Sequence, residues 1–221
     1  MKQIKSQQSG FTLIEIAIVL VIIGLLLGGV LKGQELIENS RIKSVVTDMR
    51  GVSSAFTGYF DRYRALAGDE VLATATGRGW TVTVGGNADG VLALPVANTF
   101  AAAGPVAEHL AMWQALRASG FFTGAQNAIG LNAVPRAATG GSIGAAAGPY
   151  GLQGPSVCVS ALTHKQALGV DTIIDGAAGN NVGDARGAVG AAPLNPVAAV
   201  PALVAYNESL ATTWTMCRRL Q

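Results

Sequence analysis

One apolar segment near the N-terminus constrains this chain more than any other feature. It runs from Gly10 to Leu31 with the sequence GFTLIEIAIVLVIIGLLLGGVL, in which the polar side chains are those of Thr12 and Glu15. A helix over its last 21 residues would span about 30 Å, the thickness of the hydrocarbon core of a bilayer. The ten preceding residues carry two lysines and no acid, which predicts a cytoplasmic N-terminus and a translocated remainder.

Two ordinary explanations of this segment fit poorly. A secretory signal has an apolar core of about 7–15 residues followed by small residues at a cleavage site, whereas this run is longer and continues as Gly28, Gly29 and LKGQEL. A plain transmembrane anchor leaves Glu15 unexplained, because an acid within a spanning helix is costly and usually marks a function.

Residues 10–15, Gly-Phe-Thr-Leu-Ile-Glu, follow a short basic leader and begin the apolar helix. This pattern resembles the processing site of type IV prepilins and type II secretion pseudopilins. The resemblance implies that a prepilin peptidase cuts after Gly10 and that the new N-terminal residue, Phe11, is methylated. It also implies that Glu15 is the acid that filament assembly requires.

Glu15 has a physical role in that setting. Cleavage before Phe11 creates an α-amino group with an unperturbed pKa of about 8, and in a membrane or filament core each charge is costly alone. An amine of an incoming subunit that meets Glu15 of a neighbour would neutralise both charges. Mispaired subunits would leave one charge buried, so the hypothesis is that this pair fixes the axial register.

Charge excludes a dedicated nucleic-acid binder. The chain has 15 basic and 13 acidic side chains, and loss of a leader containing Lys2 and Lys5 would leave equal numbers. Charged residues make up 13% of the chain, about half the usual share. A surface packed between many subunits fits this composition better than that of a freely soluble monomer.

Cys158 and Cys217 are the two cysteines. Both fall in the part expected outside the cytoplasm, where a pair of cysteines is more often a disulfide than a thiol catalyst. Many pilins also link their C-terminal region with one disulfide, so the resemblance implies the same pairing.

The helix is expected to continue beyond the apolar run. Apolar residues recur at three- and four-residue spacing, which predicts one helix from Phe11 to Arg64 with an amphipathic second half. The stripe consists of Ile42, Val45, Val46, Met49, Val52, Phe56, Tyr59, Phe60 and Tyr63.

Four glycines, Gly24, Gly28, Gly29 and Gly33, mark the middle of this helix. Many pilins have a proline at the position of Lys32, so the chain departs from the family there. Glycine both weakens a helix and lets helices approach closely. The expectation is local melting near residues 28–33 in a filament.

The remainder is expected to form an α+β head, an antiparallel sheet packed on the amphipathic half of the long helix, as in pilins. Strands are predicted at residues 71–76, 80–84, 91–94, 157–159 and 203–218, and helices at 105–119 and 161–174. Long Gly- and Ala-rich loops are expected elsewhere, with one strand in 120–156. The expected domains are a leader (residues 1–10), a membrane and assembly helix (11–64) and the head (65–221).

Patterns typical of enzymes are missing from the sequence. It has no G-x-S-x-G, P-loop, H-E-x-x-H or C-x-x-C motif, and His109 and His164 are expected on solvated helix faces. Four oxygen-bearing side chains lie within 14 residues, Asp171, Asp175, Asn180 and Asp184. Some pseudopilins hold calcium in a C-terminal loop, but this spacing matches no defined loop, so helix and turn roles are expected, with no metal or cofactor.

The main hypothesis is therefore a non-enzymatic subunit of a type IV pilus. Such a subunit is held in the inner membrane with a periplasmic head, cut by prepilin peptidase, and polymerised by the assembly machinery into an extracellular homo-oligomeric filament. The alternative is a type II secretion pseudopilin. A third hypothesis, from another class, is an uncut membrane-anchored binding or enzymatic domain.

Overall fold

The computed structural model describes residues 12–100, 108–176, 179–190, 194–207 and 212–220. The chain divides into two compact units, Met1–Ser40 and Arg41–Gln221. A long helix, α1, covers Leu13–Tyr63 and so contributes residues to both units. Among its described residues, the second unit also holds a four-stranded sheet and three further α-helices.

The second half of α1 carries a buried apolar stripe. Its members recur at three- and four-residue intervals, as expected for one face of a helix on a core, and they are Ile42, Val45, Val46, Met49, Val52, Ala55 and Tyr59. The predicted stripe is confirmed except at Phe60, whose side chain is 42% exposed. The helix ends where Arg64 adopts a left-handed conformation, with φ of 53°.

The sheet consists of β1 (Ile143–Ala147), β2 (Pro155–Leu162), β3 (Ala185–Gly190) and β4 (Thr213–Arg219). Its spatial order is β1-β2-β4-β3, and every neighbouring pair is antiparallel. The last strand in the chain therefore lies between β2 and β3. The α+β architecture, a long N-terminal helix followed by an antiparallel sheet, is confirmed.

Both faces of the two central strands are covered. Val157, Val159 and Trp214 belong to the large core formed with α1 and its neighbouring helices. Cys158 and Cys217 point into a smaller cluster on the other face, together with Ala146, Tyr150 and Leu152. This explains why β2 has buried residues at consecutive positions, since alternate side chains enter different clusters.

The remaining helices are α2 (Leu72–Gly77), α3 (Glu108–Ala118) and α4 (His164–Asp175). Short 3-10 turns cover Val96–Asn98, Gly130–Asn132 and Pro149–Gly151. The predicted helix at 105–119 is confirmed over α3. The predicted helix at 161–174 begins later than expected, because its first two residues complete β2.

The predicted strands at residues 71–76, 80–84 and 91–94 are wrong. Helix α2 occupies most of the first stretch, and the other two run as irregular chain. Side chains of α3 accept hydrogen bonds from backbone N–H groups in these two stretches. Gln114 Oε1 accepts from the N–H of Thr83 at 2.8 Å, and Glu108 Oε2 accepts from the N–H of Ala93 at 2.5 Å. These acceptors take the place of a neighbouring strand.

Candidate functional site

The start of α1 is held by a reciprocal pair of residues, Thr12 and Glu15. Glu15 Oε2 accepts hydrogen bonds from the backbone N–H and the hydroxyl of Thr12, both at 2.8 Å. The Thr12 hydroxyl oxygen accepts one from the Glu15 N–H at 3.3 Å. This is a capping box, which satisfies donors at a helix start that have no partner within the helix.

The capping box gives Glu15 a role within a single chain that the sequence analysis missed. The pattern Thr-x-x-Glu at residues 12–15 is itself the sequence signal for it. A carboxylate in the first turn also interacts favourably with the positive end of the helix dipole. Glu15 is therefore exposed and already hydrogen-bonded before any neighbour is present.

Gly10 and Phe11, the predicted cleavage and methylation positions, lie outside the described residues. Their roles stay predictions. The nearest described position is Thr12, which directly precedes the first helical residue, Leu13.

The apolar half of α1 is exposed along its length. Every residue from 12 to 32 is exposed, and the fully apolar side chains include Leu13 at 92% and Leu31 at 67%. In the part of the chain that is described, α1 is the single helix long and apolar enough to cross a membrane, by length and composition. A soluble monomer does not normally expose so large an apolar surface, so this surface needs a lipid or protein environment.

The four helical glycines leave open places on this surface. A Cβ atom built on Gly24, Gly28, Gly29 or Gly33 meets no described atom within 4 Å. The helix runs through all four without a break. They offer positions where the backbone of another helix could approach closely. Local melting in a filament stays a prediction.

Cys158 and Cys217 are joined by a disulfide. They lie directly opposite each other on the paired central strands β2 and β4, and both side chains are fully buried. The bond thus covalently links the two strands on which the sheet is centred.

The expectation of solvated histidines is wrong. His109 and His164 are 3% and 6% exposed. His164, in the first turn of α4, accepts a hydrogen bond at its Nδ1 from the indole N–H of Trp214 on β4, at 2.5 Å. Their rings also meet edge to face, with centroids 5.8 Å apart. This histidine connects α4 to the sheet.

The acidic and amide residues of the 171–184 segment organise the chain around them. Asp171 accepts from the N–H of Gly179 at 3.2 Å, and Asp175 accepts from that of Ala185 at 2.6 Å. Buried Asn180 donates to the carbonyl of Gly187 at 2.9 Å. Asp184 pairs with Arg219 at 3.3 Å. Across the described ranges, no three His, Cys, Asp or Glu side chains are grouped so that they could hold a metal ion.

A further polar cluster beside the end of α1 was not predicted. Glu70 forms a two-pronged ion pair with Arg78, at 2.7 and 2.5 Å, and accepts a hydrogen bond from the Tyr59 hydroxyl. The Arg78 guanidinium also lies 4.6 Å from the centre of the Tyr63 ring and 5.0 Å from that of Trp80. Tyr59 and Tyr63 belong to the predicted stripe, but no local pattern links them to Glu70 or Arg78, so the sequence offered no signal for the cluster.

The fold and the N-terminal segment define a class of protein: an α+β, pilin-like chain whose exposed apolar helix precedes a disulfide-linked sheet. A comparison with models of protein families supports this classification. Residues 5–31 match the model of the prokaryotic N-terminal methylation motif. The match covers the end of the predicted leader, the predicted cleavage position and the apolar half of α1, and it supports the resemblance to type IV pilins and pseudopilins. Comparisons with curated proteins and with solved structures found no match.

Proposed function

We propose that this chain is a structural subunit of a type IV pilus. In this proposal it is cleaved after Gly10, N-methylated at Phe11 and polymerised through the apolar half of α1. Residues 1–10 are the removed leader, residues 11–64 are the membrane and assembly helix, and residues 65–221 are the head. The observation that carries the proposal is the methylation motif at residues 5–31, which includes the apolar half of α1, where every described residue up to residue 32 is exposed.

The exposed apolar surface explains why assembly and membrane residence use the same helix. Lipid surrounds this surface in the precursor, with the head on the periplasmic side. In the filament, helices of neighbouring copies replace the lipid, and the open glycine positions permit close packing. The activity proposed is therefore assembly, with prepilin peptidase and the pilus assembly machinery as transient partners.

Glu15 exchanges partners in this scheme. In the single chain its carboxylate accepts from Thr12. In the filament the α-amino group of Phe11 on an adjacent subunit becomes its partner, which neutralises two charges inside a low-dielectric core. The pairing is specific, because a subunit in the wrong register would leave a charge uncompensated.

The N-terminus of the protein purified from its own host tests this proposal. Intact mass and N-terminal sequencing should show a chain beginning at Phe11 with one methyl group. Gly10→Leu should keep the leader, whereas the neighbouring Ser9→Ala variant should be processed normally. Wild-type protein that retains residues 1–10 at steady state would contradict both filament hypotheses and favour an uncut anchored domain.

The second candidate function is a pseudopilin of a type II secretion system, which rests on the same motif. The low charged fraction of the chain, 13%, favours a subunit that is surrounded by many copies of itself on an extended filament. Electron microscopy of the cell surface, with mass spectrometry of sheared filaments, separates the two. The pilus proposal expects this chain as the dominant filament protein, and the pseudopilin alternative expects no long surface filaments of it.

A further inference from the structure

A cavity in the second unit opens between α1, the end of α3 and the chain that leads to β1. Its volume is about 790 Å³, within the range of roughly 300–1,000 Å³ typical of small-molecule sites. Its lining includes Arg117, Arg136 and Asp48, together with Phe122, Thr123 and Asn132. No residue used in the proposed processing or assembly borders it.

Arg117 is the unusual member of this lining. It lies in the last turn of α3, and its side chain is 7% exposed. Its Nη2 donates a long hydrogen bond of 3.4 Å to the carbonyl of Asn132. Its Nε and Nη1 are buried and have no acceptor among the described residues. A buried guanidinium with unpaired donors is destabilising, so structural need alone does not explain it.

The other charges of the cavity do not satisfy Arg117. Burial lowers the pKa of Arg117, and no carboxylate offsets that effect. Asp48 lines the same cavity, but burial raises the pKa of its carboxyl group, and the backbone of Ala138 offsets only part of that effect. The position of Arg117 near the negative end of α3 stabilises a cation but supplies no acceptor to Nε and Nη1.

The surroundings of Arg117 keep the guanidinium in place. A Cβ atom at Gly124 would lie 2.8 Å from Arg117 Nε, so the glycine permits the backbone to pass over this group. Gly124 has φ of +125°, a conformation that other residues rarely adopt. Phe122 packs its ring against Trp113, with centroids 5.6 Å apart, which fixes the neighbouring wall.

The cavity lining indicates the chemistry of an occupant. The lining contains two arginines and one aspartate, so its net charge favours an anion. A carboxylate is the planar acceptor that matches an arginine fork. The hydroxyl of Thr123, the amide of Asn132 and the carboxyl of Asp48 can hydrogen-bond to hydroxyl groups, while Phe122 offers an apolar surface. We propose that this cavity binds an acidic sugar, with its carboxylate on Arg117.

Glucuronate is a suitable probe, with glucose as its neutral counterpart and acetate as a carboxylate without the ring. Binding is measured by titration calorimetry and saturation-transfer NMR on the full chain, in a detergent that carries no sugar. We expect glucuronate to bind at least about tenfold more tightly than either control, because only glucuronate uses both the guanidinium and the hydroxyl-binding wall. Equal binding of glucuronate and glucose, or of glucuronate and acetate, would overturn the proposal, as would preferential binding of inorganic phosphate.

Substitutions locate the site. Arg117→Lys keeps the charge but loses the planar fork, and it should weaken glucuronate binding by about tenfold. Arg136→Ala, at an exposed position, should weaken it by about threefold through lost electrostatic attraction. Arg62→Ala, on an exposed part of α1 outside the cavity, should leave binding within about twofold.

Thermal unfolding of each variant separates binding from folding. Since Arg117 has two unpaired donors, Arg117→Met should fold with a melting temperature at or above that of the wild type and should lose glucuronate binding. A folded Arg117→Met or Arg117→Lys protein that binds glucuronate as the wild type does would refute the assignment. If both fail to fold, Arg136→Ala decides, and unchanged binding by that variant counts against the site.

Discussion

Glu15 holds the first turn of α1 in a single chain and, in the proposed filament, the terminal amine of a neighbour. Glu15→Ala removes the carboxylate from both settings. We expect the variant to be cleaved and to stay in the membrane, since the apolar run is unchanged, but to yield at least about tenfold fewer filaments because the amine is left unpaired. Immunoblotting of membrane and sheared-filament fractions measures this.

Two control variants separate assembly from helix capping. Thr12→Ala breaks the capping box but keeps the carboxylate, so it should lower filament yield far less than Glu15→Ala does. Glu38→Ala removes a half-buried acid later on the same helix and should assemble normally. Normal filament yield from Glu15→Ala would rule out the charge-pairing role.

Glu70 should make the stability of the head depend on pH. Burial alone would raise the pKa of Glu70, but hydrogen bonds from Arg78 and Tyr59 outweigh this effect and hold the pKa below its ordinary value of 4.5. The stabilisation is therefore complete above pH 4.5. It is lost as the pH falls from there through the lowered pKa, because the unfolded chain takes up the proton first.

Glu70→Gln should reduce the free energy of unfolding by about 1–3 kcal/mol at neutral pH. Urea unfolding at neutral and at acid pH measures the difference between wild type and variant, and this difference should shrink in acid. Asp61→Asn, at an exposed position on α1, is the matched control and should change stability little at either pH. A wild-type advantage over Glu70→Gln that grows in acid would contradict the mechanism.

Among the elements, α4 has the best-defined ends. Thr163 accepts from the Gln166 N–H at 3.2 Å, and Gln166 Oε1 accepts from the Thr163 N–H at 3.0 Å. Gly176 closes the other end in a left-handed conformation, with φ of 70°. Thr163→Ala should therefore lower the free energy of unfolding by about 1 kcal/mol.

Thr163→Ser retains the hydroxyl and is the matched control, with an expected change below about 0.5 kcal/mol. Both variants are compared by the midpoint of urea unfolding at constant pH. Equal midpoints for Thr163→Ala and the wild type would show that the cap contributes nothing to stability.

The elements also show what could be read from the sequence. Helix α1 was predictable because its two signals are local in the sequence: an unbroken apolar run, followed by apolar residues at three- and four-residue spacing. The cap of α4 was readable as Thr-x-x-Gln, although the predicted helix began two residues before it. The motif at residues 10–15 was predictable for the same reason, since its residues are adjacent in the chain.

The parts of the fold and of the candidate site that were not predicted depend on contacts between residues far apart in the sequence. Residues 80–94 have the composition of strands, but some of their backbone N–H groups donate hydrogen bonds to the side chains of Gln114 and Glu108. A local sequence pattern contains no information about these distant acceptors. His164 was expected on a solvated face of α4, because its partner Trp214 is 50 positions away and a local pattern does not reveal it. The Arg117 cavity likewise unites α1, α3 and the chain before β1.

For the whole molecule, the disulfide is the main covalent constraint on the head. It joins residues separated by 59 positions, and closing a loop of that length stabilises a fold by up to about 4 kcal/mol in the chain-entropy account. The double variant Cys158→Ala/Cys217→Ala should therefore unfold at markedly lower urea concentration. Its glucuronate binding, measured where it remains folded, should persist because the bond does not border the cavity.

Wild-type protein treated with a reductant provides the comparison, since it retains both sulfur atoms. If reduced wild type and the double variant lose similar stability, the loss belongs to the bond rather than to the smaller side chains. An unfolding midpoint that neither treatment changes would mean that the strands need no covalent link.

The sheet order β1-β2-β4-β3 has a consequence for the time course of biogenesis. In the proposed membrane orientation, the segments after the apolar helix would cross the membrane in sequence order, so β2 and β3 would emerge before β4, the strand that separates them. Neither can complete its hydrogen bonding until Thr213–Arg219 arrives. In the proposed subunit, the edges of β2 and β3 that β4 later pairs would be open to periplasmic chaperones until then, so quality control would have a defined window that closes when β4 is inserted.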